Sequence, residues 1–362
     1  MLSDDEKLKA IRERIDRIDQ QLQALIVERA EAAQEVARIK LAEDPEAEFY
    51  RPEREAEVLR AVKARDNGPL DDEEVARLFR EIMSVCLAVE QPLKVAFLGP
   101  EGTFTQTAAL KHFGHSVRTR SMTSIPDVFR DVEAGACHYG VVPVENSTEG
   151  VVSHTLDTFL NSPLRICGEV TLRINHHLLS RETSMAAIRK IYSHSQSLAQ
   201  CRGWLDLQLP AAERIAVTSN AEAARLAAAE PASAAIAGES AAEIYQLDHL
   251  ASNIEDEPGN TTRFLVIGKK DAPASGDDKT SLMFSTQNRA GGLHTMLSPF
   301  ARHGISMTRI ESRPSRRGQW DYVFFVDVDG HRCDVNLSQA LDELAQVASQ
   351  FKVLGSYPKA VL

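Results

Sequence analysis

The sequence predicts a multidomain protein with an all-α N-terminal domain, a central α/β domain and a small α+β domain at the C-terminus. Apolar residues recur at helical spacing through residue 42, and no proline or glycine interrupts them. From Lys94 onward, short apolar runs alternate with helix-like segments, which is typical of an α/β domain. After a linker over residues 272–278, the elements follow in the order βαββαβ. We expect domain boundaries at residues 1–92, 93–270 and 277–362.

Composition and charge exclude several classes of protein. The net charge of -11 argues against a nucleic acid or an anionic membrane as the main partner. The N-terminus is acidic and polar, unlike a signal peptide, and no apolar run approaches the length of a membrane span. The five cysteines show no CxxC pair and no metal-binding spacing, which is typical of reduced thiols in a cytosol. We therefore expect a cytoplasmic protein without a metal or another cofactor.

The N-terminal domain is predicted to contain three helices. The first covers residues 5–42, the second runs from Pro52 to Arg65 with proline in its first turn, and the third extends from Asp71 or Asp72 to about Val89. The first helix, of about 38 residues, has a length of about 55 Å. Two shorter helices cannot cover its apolar stripe, so we expect a homodimer, with a tetramer as the alternative.

Charged residues fall on the apolar stripes of these helices. Arg29 and Lys40 lie eleven residues apart, about three turns, and therefore point the same way, whereas Arg12 lies about 100° away from them. Arg54 and Glu55 align with apolar positions of the second helix, and Cys86 and Glu90 do so on the third. These cations could instead lie at the ends of the apolar stripes, where Arg and Lys side chains reach into solvent. Because they occur on more than one helix, we favour a cationic pocket for a small dicarboxylate.

The first helix, the pair Arg54-Glu55 and the third helix resemble the all-helical chorismate mutase domain. The resemblance implies that two chains build each site, with Arg12 lent by the partner chain. It also implies that Arg29, Lys40 and Arg54 bind the carboxylates and that Glu55 binds the substrate hydroxyl. Chorismate rearranges to prephenate by a pericyclic shift, so the pocket needs to hold the compact substrate and stabilise charge on the ether oxygen. Lys40 would perform the second task.

The sequence departs from the usual pattern of that family at three positions. Arg51 stands where an aspartate is expected, Cys86 where serine is usual, and Glu90 where glutamine often donates to the ether oxygen. A glutamate can donate a hydrogen bond only when it is protonated. We therefore expect mutase activity to fall as the pH rises through the pKa of Glu90. An alternative is that the helices only join two chains into a dimer and have no mutase activity.

In the central domain we expect helices and strands in alternation. The helices are expected at 104–113, 124–134, 151–160, 184–190, 196–205, 220–229 and 238–245. The strands are expected at 95–98, 139–143, 166–174, 190–193, 214–217, 233–236 and 262–268.

Polar segments stand at or near the ends of several of these strands, and in open α/β sheets such groups converge on one crevice. The segments at strand ends are Gly99–Thr105, Pro143–Ser147, Tyr192–Gln196 and Thr261–Phe264, and Gln200-Cys201 is a further polar segment away from a strand end. None is a P-loop or a dinucleotide fingerprint. A serine hydrolase is disfavoured, because Ser193 and His194 are adjacent and there is no Gly-x-Ser-x-Gly elbow.

Together and in this order, the segments resemble prephenate dehydratase. The resemblance implies two lobes, as in periplasmic binding proteins, with the site between them. Prephenate loses CO₂ and water to give phenylpyruvate, so the site needs a group that assists the leaving hydroxyl. The implied roles are Thr262 as that group, Arg263 as a carboxylate ligand, Glu145, Asn146, Ser193 and Gln200 as orienting residues, and Thr103 and Phe264 as substrate contacts. A threonine hydroxyl is a weak acid, and whether it transfers a proton or only donates a hydrogen bond is left open.

The C-terminal domain is predicted to contain strands at 279–286, 305–312, 319–329 and 351–356 and helices at 291–303 and 335–349. Gly291-Gly292-Leu293 opens the first helix, and Glu311-Ser312-Arg313-Pro314 follows the second strand. These segments could be an ordinary helix entry and a turn, but glycines also let a backbone approach a ligand. The domain resembles the phenylalanine-sensing ACT domain, with Ala290 and Gly292 differing from its usual Pro-Gly-Ala-Leu. The resemblance implies an allosteric site at Asn288, Gly291, Gly292, Leu293, Glu311, Ser312, Arg313 and Pro314.

The three modules and their order resemble the family of bifunctional chorismate mutase–prephenate dehydratases with a regulatory ACT domain. Phenylalanine is the end product of that route, so we expect it to inhibit the dehydratase. Deletion of residues 277–362 is expected to abolish the inhibition and leave catalysis. A different class remains open, namely an amino-acid-binding regulator built from a solute-binding-type domain and an ACT module.

Overall fold

The computed structural model describes residues 4–45, 47–148, 150–286, 290–314 and 322–362. The N-terminal domain contains α1 (Asp4–Glu43), α2 (Pro52–Lys63) and α3 (Asp72–Glu90). Proline stands in the first turn of α2, and the Asp71 carboxylate accepts hydrogen bonds from the first free N–H groups of α3, at Glu73 and Glu74. The three predicted helices are confirmed.

Helix α1 exposes its apolar stripe. Its 40 residues give it a length of about 60 Å, and Ala37 is the buried residue that it contributes. The exposed apolar side chains are Leu8, Ile11, Ile15, Ile18, Leu22, Leu25, Ile26, Val27, Val36, Ile39 and Leu41. The exposure of so long an apolar stripe to water is unfavourable, since each such side chain is stabilised by burial.

The central domain has two lobes, each built on its own sheet. The first lobe contains β1 (Lys94–Leu98), α4 (Phe104–Phe113), β2 (Arg118–Met122), α5 (Ile125–Glu133), β3 (Tyr139–Asn146), β4 (Gly150–Val151), α6 (Ser153–Phe159) and β5 (Arg165–Arg173). The second contains β6 (His177–Ser180), a 3-10 turn (Met185–Ala187), β7 (Lys190–His194), α7 (Ser195–Gln200), α8 (Arg202–Gln208), β8 (Glu213–Val217), α9 (Asn220–Ala229), β9 (Ser233–Ala237), α10 (Glu239–Tyr245) and β10 (Asp248–Ala251). Strand β11 (Thr261–Gly268) returns to the first lobe.

The sheet order explains the two lobes. The first sheet has the order β2-β1-β3-β11-β5, with β4 paired to β3, and the second has the order β10-β6-β9-β7-β8. The chain therefore crosses between the lobes twice, after β5 and before β11. Strand β11 runs antiparallel between β3 and β5, so its residues lie in the middle of the first sheet. The two-lobed α/β architecture is confirmed.

The C-terminal domain contains β12 (Asp278–Thr286), α11 (Gly292–Arg302), β13 (Met307–Pro314), β14 (Tyr322–Asp329), α12 (Val335–Val347) and β15 (Gln350–Pro358). Its four-stranded sheet has the order β13-β14-β12-β15, which confirms the βαββαβ arrangement. The predicted linker is held in place, because the Arg60 guanidinium donates to the backbone oxygens of Ser275 and Asp277 at 3.0 and 2.7 Å.

The domains share hydrophobic cores. Met283, Val323, Phe325, Leu354 and Tyr357 of the C-terminal sheet pack in one cluster with core residues of the first lobe. Phe49, Tyr50 and Leu87 of the helical domain join a second cluster on the other side of that lobe. Deleting residues 277–362 would expose the first cluster to water. The expectation that such a deletion leaves catalysis intact therefore has no support from the packing.

Candidate functional site

One candidate site lies where α1 meets α3. The Glu90 carboxyl is half-buried, and burial raises its pKa, while the nearby positive charges of Lys40 and Arg29 oppose the shift. The Lys40 ammonium lies 5.7 Å from the centre of the Phe49 ring. The structure thus brings Arg29, Lys40 and Glu90 together, as the helical periodicity predicts. Arg29 itself is exposed in the single chain, next to the uncovered apolar stripe.

A buried ion pair extends this site into the domain. The Arg80 guanidinium donates to the Glu55 carboxylate, and both side chains are shielded from solvent. Burial raises the pKa of Glu55, although the positive charges of Arg80 and Arg29 pull it down. Sequence analysis missed Arg80. The available signal was its spacing, because Ala76, Arg80, Met83 and Leu87 are all buried on one face of α3.

Two further arginines lie away from this cluster. Arg54 is exposed and pairs with the Glu57 carboxylate at 3.0 Å. The expectation that it aligns with the buried face of α2 is therefore wrong, since that face is formed by Glu53, Ala56, Leu59 and Val62. Arg12 is exposed on the N-terminal half of α1. Both would need another chain to become part of an enclosed pocket.

The departures from the expected motif have different environments. Arg51 forms an ion pair with Glu53 at the start of α2, so its charge is balanced by a residue close in sequence. Cys86 is a buried free thiol on α3, one turn before Glu90. Burial raises the pKa of Glu90, so this departure has a measurable consequence for pH dependence.

The second candidate site lies at the beginning of β11. Thr262 is buried and sits opposite Asn146 of β3 in the strand register. The Thr148 backbone N–H donates to Asn146 Oδ1 at 2.9 Å, so the amide nitrogen of Asn146 faces the other way. That nitrogen donates to Thr262 Oγ1 at 2.8 Å. The threonine hydroxyl is thus an acceptor in this bond, and its own proton has no acceptor among the described residues.

A chain of amide side chains joins Thr262 to the second lobe. Asn146 Nδ2 also donates to Asn260 Oδ1 at 2.8 Å, and Asn260 Nδ2 donates to Gln200 Oε1 at 3.3 Å. Gln200 Oε1 in turn lies 2.8 Å from His176 Nε2. Burial lowers the pKa of His176, and since an amide oxygen can only accept, the Nε2–H of the ring is the donor in this bond. The structure therefore brings Asn146, Gln200 and Thr262 together as predicted and adds Asn260 and His176, to which sequence analysis gave no role.

A cavity of about 270 Å³ borders this chain on the side of the second lobe. Its lining includes Gln200, Asn260, Glu255 and Asp256. The backbone N–H groups of Gly203 and Trp204 donate to the Asp256 carboxylate at 2.7 and 2.8 Å, and that of His176 donates to Glu255 at 3.0 Å. The carboxylates of Glu255 and Asp256 thus accept hydrogen bonds from nearby backbone N–H groups.

Arg263 and Glu145 point away from Thr262. Adjacent residues of a strand project to opposite faces, so Arg263 turns towards the C-terminal domain. Its guanidinium donates to Glu169 at 2.7 Å, to the Tyr357 hydroxyl at 2.9 Å and to Asp327. Glu145 pairs with Arg309 at 3.1 Å. The expectation that Arg263 holds a substrate carboxylate is wrong for this reason, and Glu145 does not reach Thr262.

Two other expected site residues belong to the protein core. Ser193 is fully buried in the second lobe, where its hydroxyl lies 3.0 Å from Asn220 Oδ1 and 2.8 Å from the Ile236 carbonyl oxygen. Within the described chain, none of its hydrogen bonds reaches Thr262. Phe264 is also buried, in the cluster with Phe113 and Val266. Neither can touch a substrate here, and both expectations are corrected.

The lobes meet through α4 and α10. The Phe104 ring stands 5.9 Å from the His176 ring, and a Cβ at Gly238 would lie 2.7 Å from Phe104. The Thr107 and Ser240 hydroxyls are 2.8 Å apart across the same contact. Thr103, just before α4, donates to the Leu98 carbonyl at 3.0 Å. Its role as a substrate contact stays a prediction.

The third candidate site is at the free edge of the C-terminal sheet. Gly291 has a φ of 76°, a conformation that favours glycine, and it begins α11 next to the exposed Leu293, while Gly292 is buried. Glu311, Ser312, Arg313 and Pro314 form the end of the edge strand β13. Arg313 is engaged with the first lobe, through Ser153 and the Asp157 carboxylate at 3.2 Å. Asn288 lies outside the described residues.

One group of side chains in the second lobe could hold a metal ion. The ligand atoms of His177, Glu239 and His249 lie within 4.8 Å of one another. His177 Nδ1 accepts a hydrogen bond from the Asn253 backbone at 3.4 Å, and Glu239 is exposed. In the part of the chain that the structure describes, the hydrogen-bonded chain from Thr262 to His176 does not include this group.

Comparisons with known proteins match all three domains. Residues 11–91 match the chorismate mutase type II family, residues 95–272 match prephenate dehydratase, and residues 280–348 match the ACT domain. Among the described residues, none of the helices combines the length and apolar composition needed to cross a bilayer.

Relatives match the whole chain. Bifunctional chorismate mutase/prephenate dehydratases from Stutzerimonas stutzeri and Pseudomonas aeruginosa are 59% and 58% identical, each over 100% of both chains. A crystal structure of prephenate dehydratase from Arthrobacter aurescens in complex with L-Phe is 33% identical, with a TM-score of 0.69. The match covers 74% of this chain and 90% of that chain.

Proposed function

The chain belongs to the family of bifunctional chorismate mutase/prephenate dehydratases, and from that premise we propose which of its side chains carry each reaction. It rearranges chorismate to prephenate, and it converts prephenate to phenylpyruvate under feedback inhibition by phenylalanine. The observation that carries the residue assignment is the hydrogen bond from Asn146 to the buried Thr262 hydroxyl. We assign residues 1–92 to the mutase, 93–270 to the dehydratase and 277–362 to the ACT domain.

For the mutase, Arg29 and Lys40 bind the substrate carboxylates, and Lys40 and a protonated Glu90 donate to the ether oxygen. The C–O bond breaks as a C–C bond forms within the same molecule, so no proton or nucleophile is needed. Fixed positive charge beside the ether oxygen stabilises the transition state, in which negative charge grows there. The closeness of Arg29 and Lys40 to the half-buried Glu90 supports this assignment.

The mutase site is completed by a second copy of the chain. The exposed apolar stripe of α1 needs a long apolar partner, and the same stripe on another copy supplies one. Arg12 then reaches the partner's cluster. Arg54 stays a predicted ligand whose exposed position leaves it available to such an assembly.

For the dehydratase, Thr262 donates a hydrogen bond to the leaving hydroxyl of prephenate. Because its oxygen accepts from Asn146, its proton is directed towards the substrate. The bond to the ring carboxylate breaks, CO₂ departs, and the electron pair enters the ring. The C–O bond to the hydroxyl breaks in turn, and the departing oxygen takes up a proton from solvent and leaves as water. Asn260 and Gln200 hold Asn146 in the donating orientation.

Phenylalanine binds at the free edge of the C-terminal sheet. Met307 and Ile310 are exposed on β13, and Leu293 is exposed next to the positive-φ Gly291 at the start of α11, so both segments offer apolar surface that a second copy can cover. The carboxylate and amine of the amino acid would be met by the backbone at Gly291 and by Glu311. The compartment that we propose is the cytosol, in keeping with five cysteines that are all free thiols.

The experiment is to supply chorismate to the purified full-length chain and to follow prephenate and phenylpyruvate over time. We expect chorismate to disappear, prephenate to rise and fall, and phenylpyruvate to accumulate more slowly when phenylalanine is added. Consumption of prephenate without consumption of chorismate would mean that the helices serve only to join chains. Binding of phenylalanine with no turnover of either acid would indicate an amino-acid-binding regulator.

A further inference from the structure

Arg263 is buried in a polar network between the dehydratase and the ACT domain. Its side chain is 14% exposed, and those of Glu169 and Asp327 are 5% exposed. Each of its three nitrogens donates a hydrogen bond, to Glu169, Asp327 and Tyr357. A network this enclosed excludes a role for Arg263 in binding substrate while it is intact, and it fixes the backbone of β11 from one side.

The network continues into the ACT sheet. The Ser281 hydroxyl donates to the other oxygen of Asp327 and lies 2.6 Å from the Tyr357 hydroxyl. Lys279 donates to both oxygens of Glu169, at 2.9 and 2.8 Å. Burial would raise the pKa of Asp327, but the Arg263 charge, the hydrogen bonds from Ser281 and Arg263 and the Arg309 charge together outweigh it and hold the pKa below its ordinary value. The pair is therefore charged at neutral pH and links β11 to β14.

The neighbouring strand repeats the arrangement. Arg263 and Glu145 are partners in the register of β11 and β3, as are Thr262 and Asn146. Glu145 pairs with Arg309 of β13 at 3.1 Å. Thr262 is thus followed in the chain by Arg263, and Asn146 is preceded by Glu145. Both of these neighbours bind the ACT sheet. Arg309 also stands two residues before Glu311, at the start of the proposed phenylalanine segment.

We propose that Arg263 and Glu145 are positioning residues, which hold the Thr262–Asn146 pair against the ACT sheet. Phenylalanine bound at Glu311–Pro314 then alters dehydratase turnover through Asp327 and Arg309, the partners of Arg263 and Glu145 in that sheet. This inference rests on the proposed function of Thr262. A ligand that favours another position of β13 and β14 changes the geometry of both β3 and β11. A displacement of about 1 Å at a reacting group is enough to change its rate by orders of magnitude.

The test compares Asp327→Asn with Asp329→Asn in the full-length protein. Asp329 lies on the same strand and face but pairs with Lys359 of the ACT domain itself, at 3.0 Å, which makes it a matched control. For Asp327→Asn we expect dehydratase kcat to fall about ten-fold with KM nearly unchanged. The phenylalanine concentration for half inhibition should rise about ten-fold. Mutase turnover should stay at the wild-type value in both variants.

Tyr357→Phe provides a milder variant in case Asp327→Asn folds poorly, because it removes one hydroxyl from the same network. It should shift kcat and half inhibition in the same direction by a smaller factor. Wild-type kcat and half inhibition in a folded Asp327→Asn protein would overturn the proposal. A rise in KM with unchanged kcat in Arg263→Lys would do the same, because it would make Arg263 a substrate ligand.

Hydrogen–deuterium exchange separates this proposal from the proposed function. Phenylalanine should change amide exchange over residues 140–147 and 261–268 in the wild-type protein and in Asp329→Asn, but not in Asp327→Asn. That readout does not require turnover. Failure of the wild-type chain to convert prephenate would contradict the proposed function, whereas an equal exchange response in all three proteins would contradict the positioning role.

Discussion

Asn146 and Thr262 face each other across neighbouring strands, and the amide nitrogen of Asn146 donates to the Thr262 hydroxyl over 2.8 Å. The direction of this bond matters, because a hydroxyl that accepts from its neighbour keeps its own proton for another partner. The orientation of the amide is fixed by the Thr148 N–H at Oδ1. A backbone turn thus determines which way the Asn146 amide donates.

Asn146→Asp should reverse this bond. A carboxylate only accepts, so the Thr262 proton would turn towards it and away from the leaving hydroxyl of prephenate. We expect dehydratase kcat to fall about 10²-fold or more, the usual contribution of a positioned donor, with mutase turnover unchanged. Asn161→Asp, at an exposed position of the same lobe, is the control. Steady-state kinetics with prephenate provide the measurement, and wild-type turnover in Asn146→Asp would refute the direction assigned to the bond.

Mutase activity should fall as the pH rises through the pKa of Glu90. Burial raises that pKa above the ordinary value for glutamate, with Lys40 and Arg29 opposing the shift. Below the raised pKa the protonated carboxyl donates to the ether oxygen, and above it the carboxylate can only accept. Glu90→Gln always donates and should flatten the profile. The measurement is kcat for chorismate from mildly acidic to alkaline pH, and a flat wild-type profile would contradict the role of Glu90.

Arg80→Met should destabilise the helical domain. It leaves the Glu55 carboxylate buried without its partner, which costs about 3–5 kcal/mol. Arg77→Met, one turn earlier on α3, removes an exposed pair with Glu74 and should cost less than about 1 kcal/mol. Urea denaturation followed by circular dichroism measures both. Equal stability of the two variants would show that the Arg80–Glu55 pair does not support the fold.

Two inactive mutase variants should complement each other if Arg12 acts in the partner's site. When Arg12→Ala and Arg29→Ala chains form a mixed dimer, one of its two sites contains both defects and the other contains neither. Co-expressed chains should therefore recover about a quarter of wild-type mutase activity. The control is Arg29→Ala with Lys40→Ala, where both residues belong to the same cluster and every site stays defective. Recovery in the control alone, or in neither mixture, would contradict a site shared between chains.

Periodicity and motif order predicted the three domains because both are local properties of the chain. The helical stripe of α1, the alternation after Lys94 and the βαββαβ order depend on residues close in sequence. Strand β2 (Arg118–Met122) was missed, because it is polar and largely exposed and joins β1 through its backbone alone. The predicted helix at 184–190 is a single turn over Met185–Ala187.

The errors at the site have a different origin. The resemblance to prephenate dehydratase implies that Thr262, Arg263 and Phe264, three consecutive residues of one motif, share one cleft. Strand geometry instead sends Arg263 to the ACT interface, and Phe264 packs in the core next to Val266. Arg263 has partners that come from residues distant in the chain, and no local pattern marks them. Arg80 was visible in the spacing of α3, but its partner on α2 emerged only from the packing.

The central claim is that one chain holds two separate sites and that Thr262 serves only the second. A time course with chorismate as the sole substrate tests it, with the wild-type chain, Thr262→Ala and Thr262→Ser side by side. Thr262→Ala should consume chorismate at the wild-type rate and accumulate prephenate, with phenylpyruvate formed about 10²-fold more slowly or less, and Thr262→Ser should restore much of the second step. Formation of phenylpyruvate at the wild-type rate by Thr262→Ala, or equal loss of both steps, would contradict the claim.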